Sequence, residues 1–132
     1  MSIDNLLNET ISNVPKALAA GVVDMESGLM LGIKTTSNHP SQVFDFLAAA
    51  TKDIFEGDNV TAIEDIFKEA RGDKKSTERY FKEIVVFSSN LLHYFTRVPG
   101  KDGIVYGVVC SVSANVGLVL VKSREIAKRI EI

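Results

Sequence analysis

The segment from residue 104 to residue 112 is the strongest constraint on how this chain folds. Both of its alternating sets of side chains are apolar. One set is Ile104, Tyr106, Val108 and Cys110, and the other is Val105, Gly107 and Val109. A strand that is apolar on both sides lies inside a sheet, with other elements covering both faces. The segment therefore predicts a central strand with a layer of structure on each side.

A membrane-spanning helix is the alternative, because no side chain between residues 103 and 121 is charged and that length can cross a bilayer. However, Ser111, Ser113 and Asn115 interrupt the middle of the stretch, where polar groups are costly in lipid. Its first half is β-branched and its second half is typical of a helix, which favours a buried strand followed by a helix. We expect no membrane span.

Composition sets the size and class of the protein. The chain has 132 residues, of which 45% are hydrophobic and 24% charged, so we expect one globular domain over residues 1–132 and no dominant disorder. Fifteen basic against 17 acidic side chains argue against a dedicated nucleic-acid binder. The single cysteine, and an N-terminus without the pattern of a signal peptide, indicate a cytoplasmic protein.

Changes in hydrophobic period divide the chain into a helix, two strands, a helix pair, three strands and a closing helix. The predicted elements are a helix over 3–14 with Ser2 as N-cap, strands over 16–25 and 29–33, a helix from Pro40 or Ser41 to Phe55, a helix over 60–70, strands over 81–87, 91–98 and 104–112, and a helix over about 114–130. This order predicts an α/β fold, a three-layer α-β-α sandwich around a five-stranded, mostly antiparallel meander sheet.

The sequence contains no recognisable catalytic or cofactor motif. It lacks a phosphate-binding loop, a dinucleotide fingerprint, a nucleophile elbow and the ligand spacing of a metal site. We interpret His39 as a solvated loop residue, His93 as a partly buried histidine with its hydrogen bonds satisfied, and Cys110 as a small core residue. We therefore expect no enzymatic activity, no metal and no cofactor.

The helix that ends at Phe55 is apolar over an arc about twice the ~100° that one sheet contact requires. One half of the arc carries Val43, Leu47, Ala50 and Ile54, and the other carries Phe44, Ala48, Thr51 and Phe55. Either a partner chain covers the second half, or the helix over 60–70 folds onto Phe44 and Phe55. We predict that Phe44, Ala48, Thr51 and Phe55 contact a partner subunit and that the first half faces the sheet.

The strand that follows the polar segment 71–79 supports a partner chain. Its residues Ile84, Val85, Val86 and Phe87 would form an exposed apolar edge of the sheet, which is hazardous unless it is paired or covered. An unpaired edge and a helix with excess apolar surface in one chain predict a symmetric homodimer. We expect residues 71–79 to form a charged loop that flanks the surface to which a further partner binds.

Two segments resemble the roadblock/dynein light chain family. They are residues 20–24, Ala-Gly-Val-Val-Asp, leading into Gly28-Leu29-Met30-Leu31, and residues 115–118, Asn-Val-Gly-Leu, opening a helix with a basic end. The resemblance implies a profilin-like sheet of the roadblock type and a homodimer whose middle helices and third strands meet. It further implies binding of small Ras-like GTPases or of motor and signalling assemblies. The segment 57–79 is an insert relative to the usual connection in that family.

Two functions from different classes remain open. The first is a homodimeric, non-enzymatic interaction module that regulates or scaffolds a small Ras-like GTPase or a signalling or motility assembly. The alternative is a small-molecule sensor of the PAS-like or GAF-like type. A cavity above the sheet would distinguish the sensor from the interaction module. Small residues in the sheet could either create such a cavity or admit closely packed helices. They are Gly21, Gly32, Gly107 and the alanines at 17, 19 and 20.

Overall fold

The computed structural model describes residues 2–37, 41–72 and 79–132, and only the backbone between residues 41 and 46. The elements are α1 (Ile3–Asn13), β1 (Ala17–Asp24), β2 (Leu29–Thr35), α2 (Ser41–Glu56), α3 (Asp58–Ala70), β3 (Glu83–Phe87), β4 (Leu91–Val98), β5 (Lys101–Ser111) and α4 (Val116–Ala127). His39 and the centre of the predicted charged loop, 73–78, lie outside the described residues.

The five strands form one sheet in the order β2-β1-β5-β4-β3, and every neighbouring pair is antiparallel. The strand that is apolar on both sides, β5, occupies the centre of the sheet, as predicted. Its pairing with β1 is long and joins the first hairpin to the second, with Gly21 opposite Gly107. The predicted five-stranded α/β architecture is therefore confirmed.

Local signals define where the outer helices begin. The Ser2 hydroxyl accepts a hydrogen bond from the backbone N–H of Asn5, at 3.2 Å, and caps α1 as predicted. The Asn115 side chain does the same for α4 by accepting from the N–H of Leu118, at 3.1 Å. The predicted strand from residue 81 is shorter in the structure and begins at Glu83. Before it, the carbonyl of Phe81 accepts from the Arg97 side chain and that of Lys82 from the Arg97 backbone N–H.

Helices α1 and α4 cover one side of the sheet, which we call the closed face. Its side chains form the main core, and most of those on β4 and β5 are fully buried. They include Leu92, Tyr94, Tyr106, Val108 and Cys110. The close approach of α1 depends on Gly32, because a Cβ there would lie only 2.8 Å from Cγ2 of Ile3.

The opposite side of the sheet, which we call the open face, is approached by α2. A smaller cluster forms there from Val23, Met25, Ala48, Phe55 and Val105. The alternate residues of β4 on this face, Leu91, His93 and Phe95, are only partly buried. The three predicted layers are thus present, but the two outer layers cover the sheet unequally.

The uncharged stretch from residue 103 to residue 121 comprises most of β5 and the start of α4. Among the described residues, no helix has both the length and the hydropathy that crossing a membrane requires. The interpretation of this stretch as a strand followed by a helix is confirmed.

Candidate functional site

The side of α2 that we predicted to face a partner packs on the chain's own sheet. Ala48 and Phe55 are completely buried and Thr51 is 6% exposed. The ring of Phe55 meets that of Phe95 edge to face, with 6.4 Å between centroids. The prediction that Ala48, Thr51 and Phe55 contact a second subunit is therefore wrong in its choice of helix face. The side chain of Phe44, the fourth residue of that set, lies outside the described residues.

The half of α2 that we assigned to the sheet is the exposed half. Leu47 is 46% exposed, Ile54 is 39% exposed, and Ala50 between them is also exposed. Both halves of this helix are mainly apolar, and hydropathy favours burial of the half that is in fact exposed, because the other half contains Thr51. Ala48 and Thr51 are buried together with Phe55, whose ring packs against Phe95 and Arg97, whereas Leu47 and Ile54 face outward.

Helix α3 does not cover the exposed half of α2. Its own apolar side chains remain open to solvent, with Ile63 37%, Ile66 64% and Phe67 45% exposed. Phe67 stacks instead on Tyr80, at 5.7 Å between ring centroids. The alternative in which the helix over 60–70 covers Phe55 is wrong, because Phe55 is buried by the sheet.

A buried arginine fixes the C-terminal end of α2. Arg97 on β4 is 4% exposed, and its guanidinium lies 5.1 Å from the centroid of the Phe55 ring. It donates to a Glu56 carboxylate oxygen at 2.7 Å, to the carbonyl of Asp102 at 2.6 Å and to the carbonyl of Phe55 at 3.2 Å. A charge buried this deeply is tolerated because its donors are matched by acceptors.

The same cluster extends to the segment before β3. Arg79 lies 3.1 Å from the second carboxylate oxygen of Glu56 and 3.3 Å from Glu64, which is buried on α3. Glu64 also accepts from the backbone N–H of Tyr80, at 2.6 Å. This network was not predicted from the sequence. The available signal was the single charged residue, Arg97, within the otherwise uncharged strand Leu91–Val98.

Strand β3 lies at the edge of the sheet, as predicted, and pairs with β4 alone in the described part of the chain. Val85 is 39%, Val86 40% and Phe87 57% exposed. Ile84 is partly buried against the cluster that contains Phe55. The predicted interface residues on this strand therefore present an apolar edge.

A charged contact anchors the beginning of that edge strand. Glu83 accepts two hydrogen bonds from Arg124 of α4, at 2.7 and 2.8 Å, and a third from the Tyr94 hydroxyl. The guanidinium of Arg124 is the main reason that the pKa of Glu83 lies below its ordinary value. This contact holds the first residue of β3 and leaves the apolar residues that follow it accessible.

A cavity of about 330 Å³ lies between the open face and α2. Its floor includes Gly21 and Gly107, which are paired across β1 and β5, and its walls include Met30, His93 and Phe95. The small residues of the sheet therefore have both roles that the sequence allowed. Gly32 admits a helix on the closed face, whereas Gly21 and Gly107 border the cavity on the open face.

The two candidate reactive side chains lie on opposite faces. Cys110 is fully buried in the main core, and burial raises the pKa of its thiol to about 11, which confirms it as a core residue. His93 is partly buried, as predicted, and burial lowers its pKa. Its ring stacks on Phe95 at 6.2 Å, and it makes no hydrogen bond to any described residue. Its nitrogens are not among the fully buried polar atoms that lack a partner, so the satisfaction of its hydrogen bonds stays a prediction.

The described residues contain no group of three or more potential metal ligands. They do present two apolar surfaces, the edge of β3 and the exposed half of α2, and one apolar cavity.

Comparison with known proteins identifies the fold. No protein-family model and no curated protein matches the chain. Among solved structures, the gliding protein MglB of Thermus thermophilus is similar over 95% of this chain and 82% of its own, with 20% sequence identity and a TM-score of 0.67. MglB of Myxococcus xanthus is similar over 95% of this chain and 88% of its own, with 18% identity and a TM-score of 0.68.

A third similar structure is a Roadblock/LC7 domain from Streptomyces avermitilis. It covers 97% of this chain and 93% of its own, with 16% identity and a TM-score of 0.67. At these identities the likeness concerns the fold. The chain therefore has the roadblock fold that the hairpin at 20–31 and the segment at 115–118 suggested.

Proposed function

We propose that this chain is a homodimeric, non-enzymatic interaction module that regulates or scaffolds a small Ras-like GTPase or a signalling or motility assembly. The observation that carries the proposal is the exposed apolar edge formed by Val85, Val86 and Phe87. Natural proteins protect such edges with lysine, proline, bulges or a covering element. Strand β3, EIVVF, has neither lysine nor proline.

Pairing with a second copy is the simplest way to provide hydrogen-bond partners for the unpaired backbone groups of this edge strand. Two β3 strands related by a two-fold axis would run antiparallel and join the two five-stranded sheets into one. The dimer surface that we propose combines Ile84, Val85, Val86 and Phe87 with the exposed half of α2. Leu47, Ala50 and Ile54 replace Ala48, Thr51 and Phe55 in the interface, because the latter are buried within the chain.

The class of partner follows from the likeness of fold and of sequence. The chain resembles a family whose members bind small Ras-like GTPases, and it shares its fold with proteins called MglB, one of them described as a gliding protein. A dimer would present a surface that a single chain cannot offer, so a partner could distinguish the two states. We place the partner on that composite surface.

Light scattering tests the dimer. At micromolar concentration the wild-type chain should have about twice its mass of 14.4 kDa. Ile54→Glu should raise the dimer dissociation constant about thirtyfold, because it places a charge in an apolar contact. Ala49→Glu is the matched control, since Ala49 is exposed on α2 but lies about 140° around the helix from Ile54. A monomeric wild-type chain would contradict the proposal.

A second experiment tests the partner. Immobilised wild-type chain and Ile54→Glu are incubated with lysate of the source organism, and a captured Ras-like GTPase is then assayed for GTP hydrolysis with and without the purified chain. We expect capture by the dimer, loss of capture with Ile54→Glu, and no hydrolysis by the chain alone. Equal capture by both forms would show that the partner binds a single chain instead of the composite surface.

A further inference from the structure

The cavity on the open face is too large to be a packing defect. Protein interiors are close-packed, and voids larger than a water molecule are few. Ligand pockets begin at about 300 Å³, and this cavity of about 330 Å³ lies at the lower end of that range. It is bordered by four strands and by Leu47 and Thr51 of α2, so an occupant would lie between the sheet and the helix in a cleft that is partly open to solvent.

The lining restricts the charge of an occupant. None of the described side chains that border the cavity is acidic, lysine or arginine, and most are aliphatic. An ion transferred into such surroundings would lose its hydration without gaining a counter-charge, which is strongly unfavourable. A molecule that binds there is therefore uncharged and mainly apolar.

Among the partly buried polar side chains of the wall, one lacks a partner among the described residues. His93 makes no hydrogen bond to any of them, although its ring is held against Phe95. In the neutral form, which burial favours, the imidazole can donate one hydrogen bond and accept another. Thr51 differs, because its hydroxyl already donates to the carbonyl of Leu47 at 2.7 Å. His93 is thus the group best placed to orient a ligand.

We propose that this cavity binds a small, uncharged, mainly apolar molecule that forms one hydrogen bond with His93. This inference goes beyond the proposed dimeric interaction module and does not require it. The cavity is bordered by β1, β2, β4 and β5, whereas the proposed dimer surface uses the edge strand β3 and the exposed half of α2, with Leu47 the one residue that belongs to both.

Three probes with the same ring system test the ligand class. They are 2-naphthol, which is uncharged and carries a hydroxyl, naphthalene, which lacks it, and 2-naphthoate, which is charged. Each is titrated into the ¹⁵N-labelled wild-type chain, and amide chemical shifts of Gly21, Gly107 and their neighbours report binding. We expect 2-naphthol to bind about fivefold more tightly than naphthalene, the value of one hydrogen bond, and 2-naphthoate to bind most weakly.

Two variants locate the site. Ala19→Leu extends a side chain that borders the cavity and should abolish binding of both uncharged probes. His93→Phe retains the ring but removes the hydrogen bond, so it should remove the preference for 2-naphthol over naphthalene. Val121→Leu is the matched control for added volume, because Val121 is 61% exposed on α4, and it should leave binding unchanged. If Ala19→Leu fails to fold, Val109→Phe fills the same cavity.

Several results would overturn the proposal. The absence of shifts with all three probes would show that the chain's own side chains fill the cavity. Tighter binding of 2-naphthoate, or an unchanged preference in His93→Phe, would exclude the proposed ligand class. Probe binding to the monomeric variant Ile54→Glu but not to the dimer would show that a second copy occupies the cavity. Light scattering reports the proposed dimer separately from all of these results.

Discussion

The two faces of the central sheet have similar hydrophobic sequences but are covered very differently. On β4, Leu92 and Tyr94 are at most 1% exposed on the closed face, while their neighbours Leu91, His93 and Phe95 on the open face are only partly buried. The same alternation continues on β5, where Val108 is fully buried and Val109 is not. Adjacent residues of one strand thus occupy contrasting environments.

The difference arises from the number of helices and from where they are anchored. Two helices cover the closed face, whereas the open face has α2, whose C-terminal half is held in place. Lys52 donates to the carbonyls of Met25 and Glu26, and Arg97 holds Phe55 and Glu56. The cavity borders the helix at Leu47 and Thr51, which precede these anchored residues in the chain.

This contrast teaches that an apolar pattern on both sides of a strand does not require coverage by the same chain. The pattern indicates that the apolar surface is removed from contact with water. On the closed face α1 and α4 meet that requirement. On the open face part of the apolar surface stays accessible in the single chain, and it is this surface that the proposed ligand or a second copy would cover. An experiment that distinguishes the two faces therefore tests both proposals.

The largest expected contrast is in thiol reactivity. Cys110 is fully buried and its thiol has a pKa of about 11, so at pH 8 it should react with iodoacetamide on the order of a hundredfold more slowly than an ordinary exposed thiol. Val109→Cys, one residue away on the open face, should add a rapidly alkylated thiol. Val108→Cys on the closed face is the control and should add a slow one; mass spectrometry measures the rates.

Equal rates at positions 108 and 109 would show that the open face is covered in solution. Repeating the alkylation of Val109→Cys over a range of protein concentrations then sharpens the comparison. Protection that increases with concentration identifies a second copy as the cover, whereas protection that is independent of concentration does not.

A core truncation should give the next largest effect. Leu92→Ala, on the closed face, should lower the free energy of unfolding by about 3 kcal/mol, because it leaves a space among packed side chains. Leu91→Ala, its neighbour on the open face, should lower it by about 1 kcal/mol, since Leu91 is already partly exposed. Urea unfolding measures both. Similar losses at the two positions would contradict the unequal coverage.

The smallest expected effect is a dependence of stability on pH. Burial lowers the pKa of His93 from its ordinary value of 6.5, so the folded chain binds a proton at His93 less readily than the unfolded chain does. The contribution of neutral His93 to the free energy of unfolding is therefore fully present above pH 6.5. It decreases as the pH falls from 6.5 through the pKa of His93 in the folded state. Urea unfolding of wild type and His93→Phe at pH 7.5 and 5.5 should show a smaller decrease in the variant. An identical decrease in both would show that the pKa of His93 is the same in the folded and the unfolded chain.

The prediction of α2 failed for a physical reason. Residues 43, 47, 50 and 54 and residues 44, 48, 51 and 55 form two rows, and hydropathy favours burial of the first, because the second contains the polar Thr51. The second row faces the sheet in the structure because the ring of Phe55 fits against Phe95 and Arg97. No period in the sequence encodes that fit.

The sequence by itself determined the elements, their order and the position of β5 at the centre of the sheet, since these depend on periodicity, caps and turns, which are local. It also placed β3 at an edge. Only the tertiary structure decided which face of α2 turns inward, how Arg97 is buried, and that Gly21 and Gly107 border a cavity whereas Gly32 admits a helix. Those outcomes depend on the shapes of side chains far apart in sequence, and such complementarity exists only once the chain has folded.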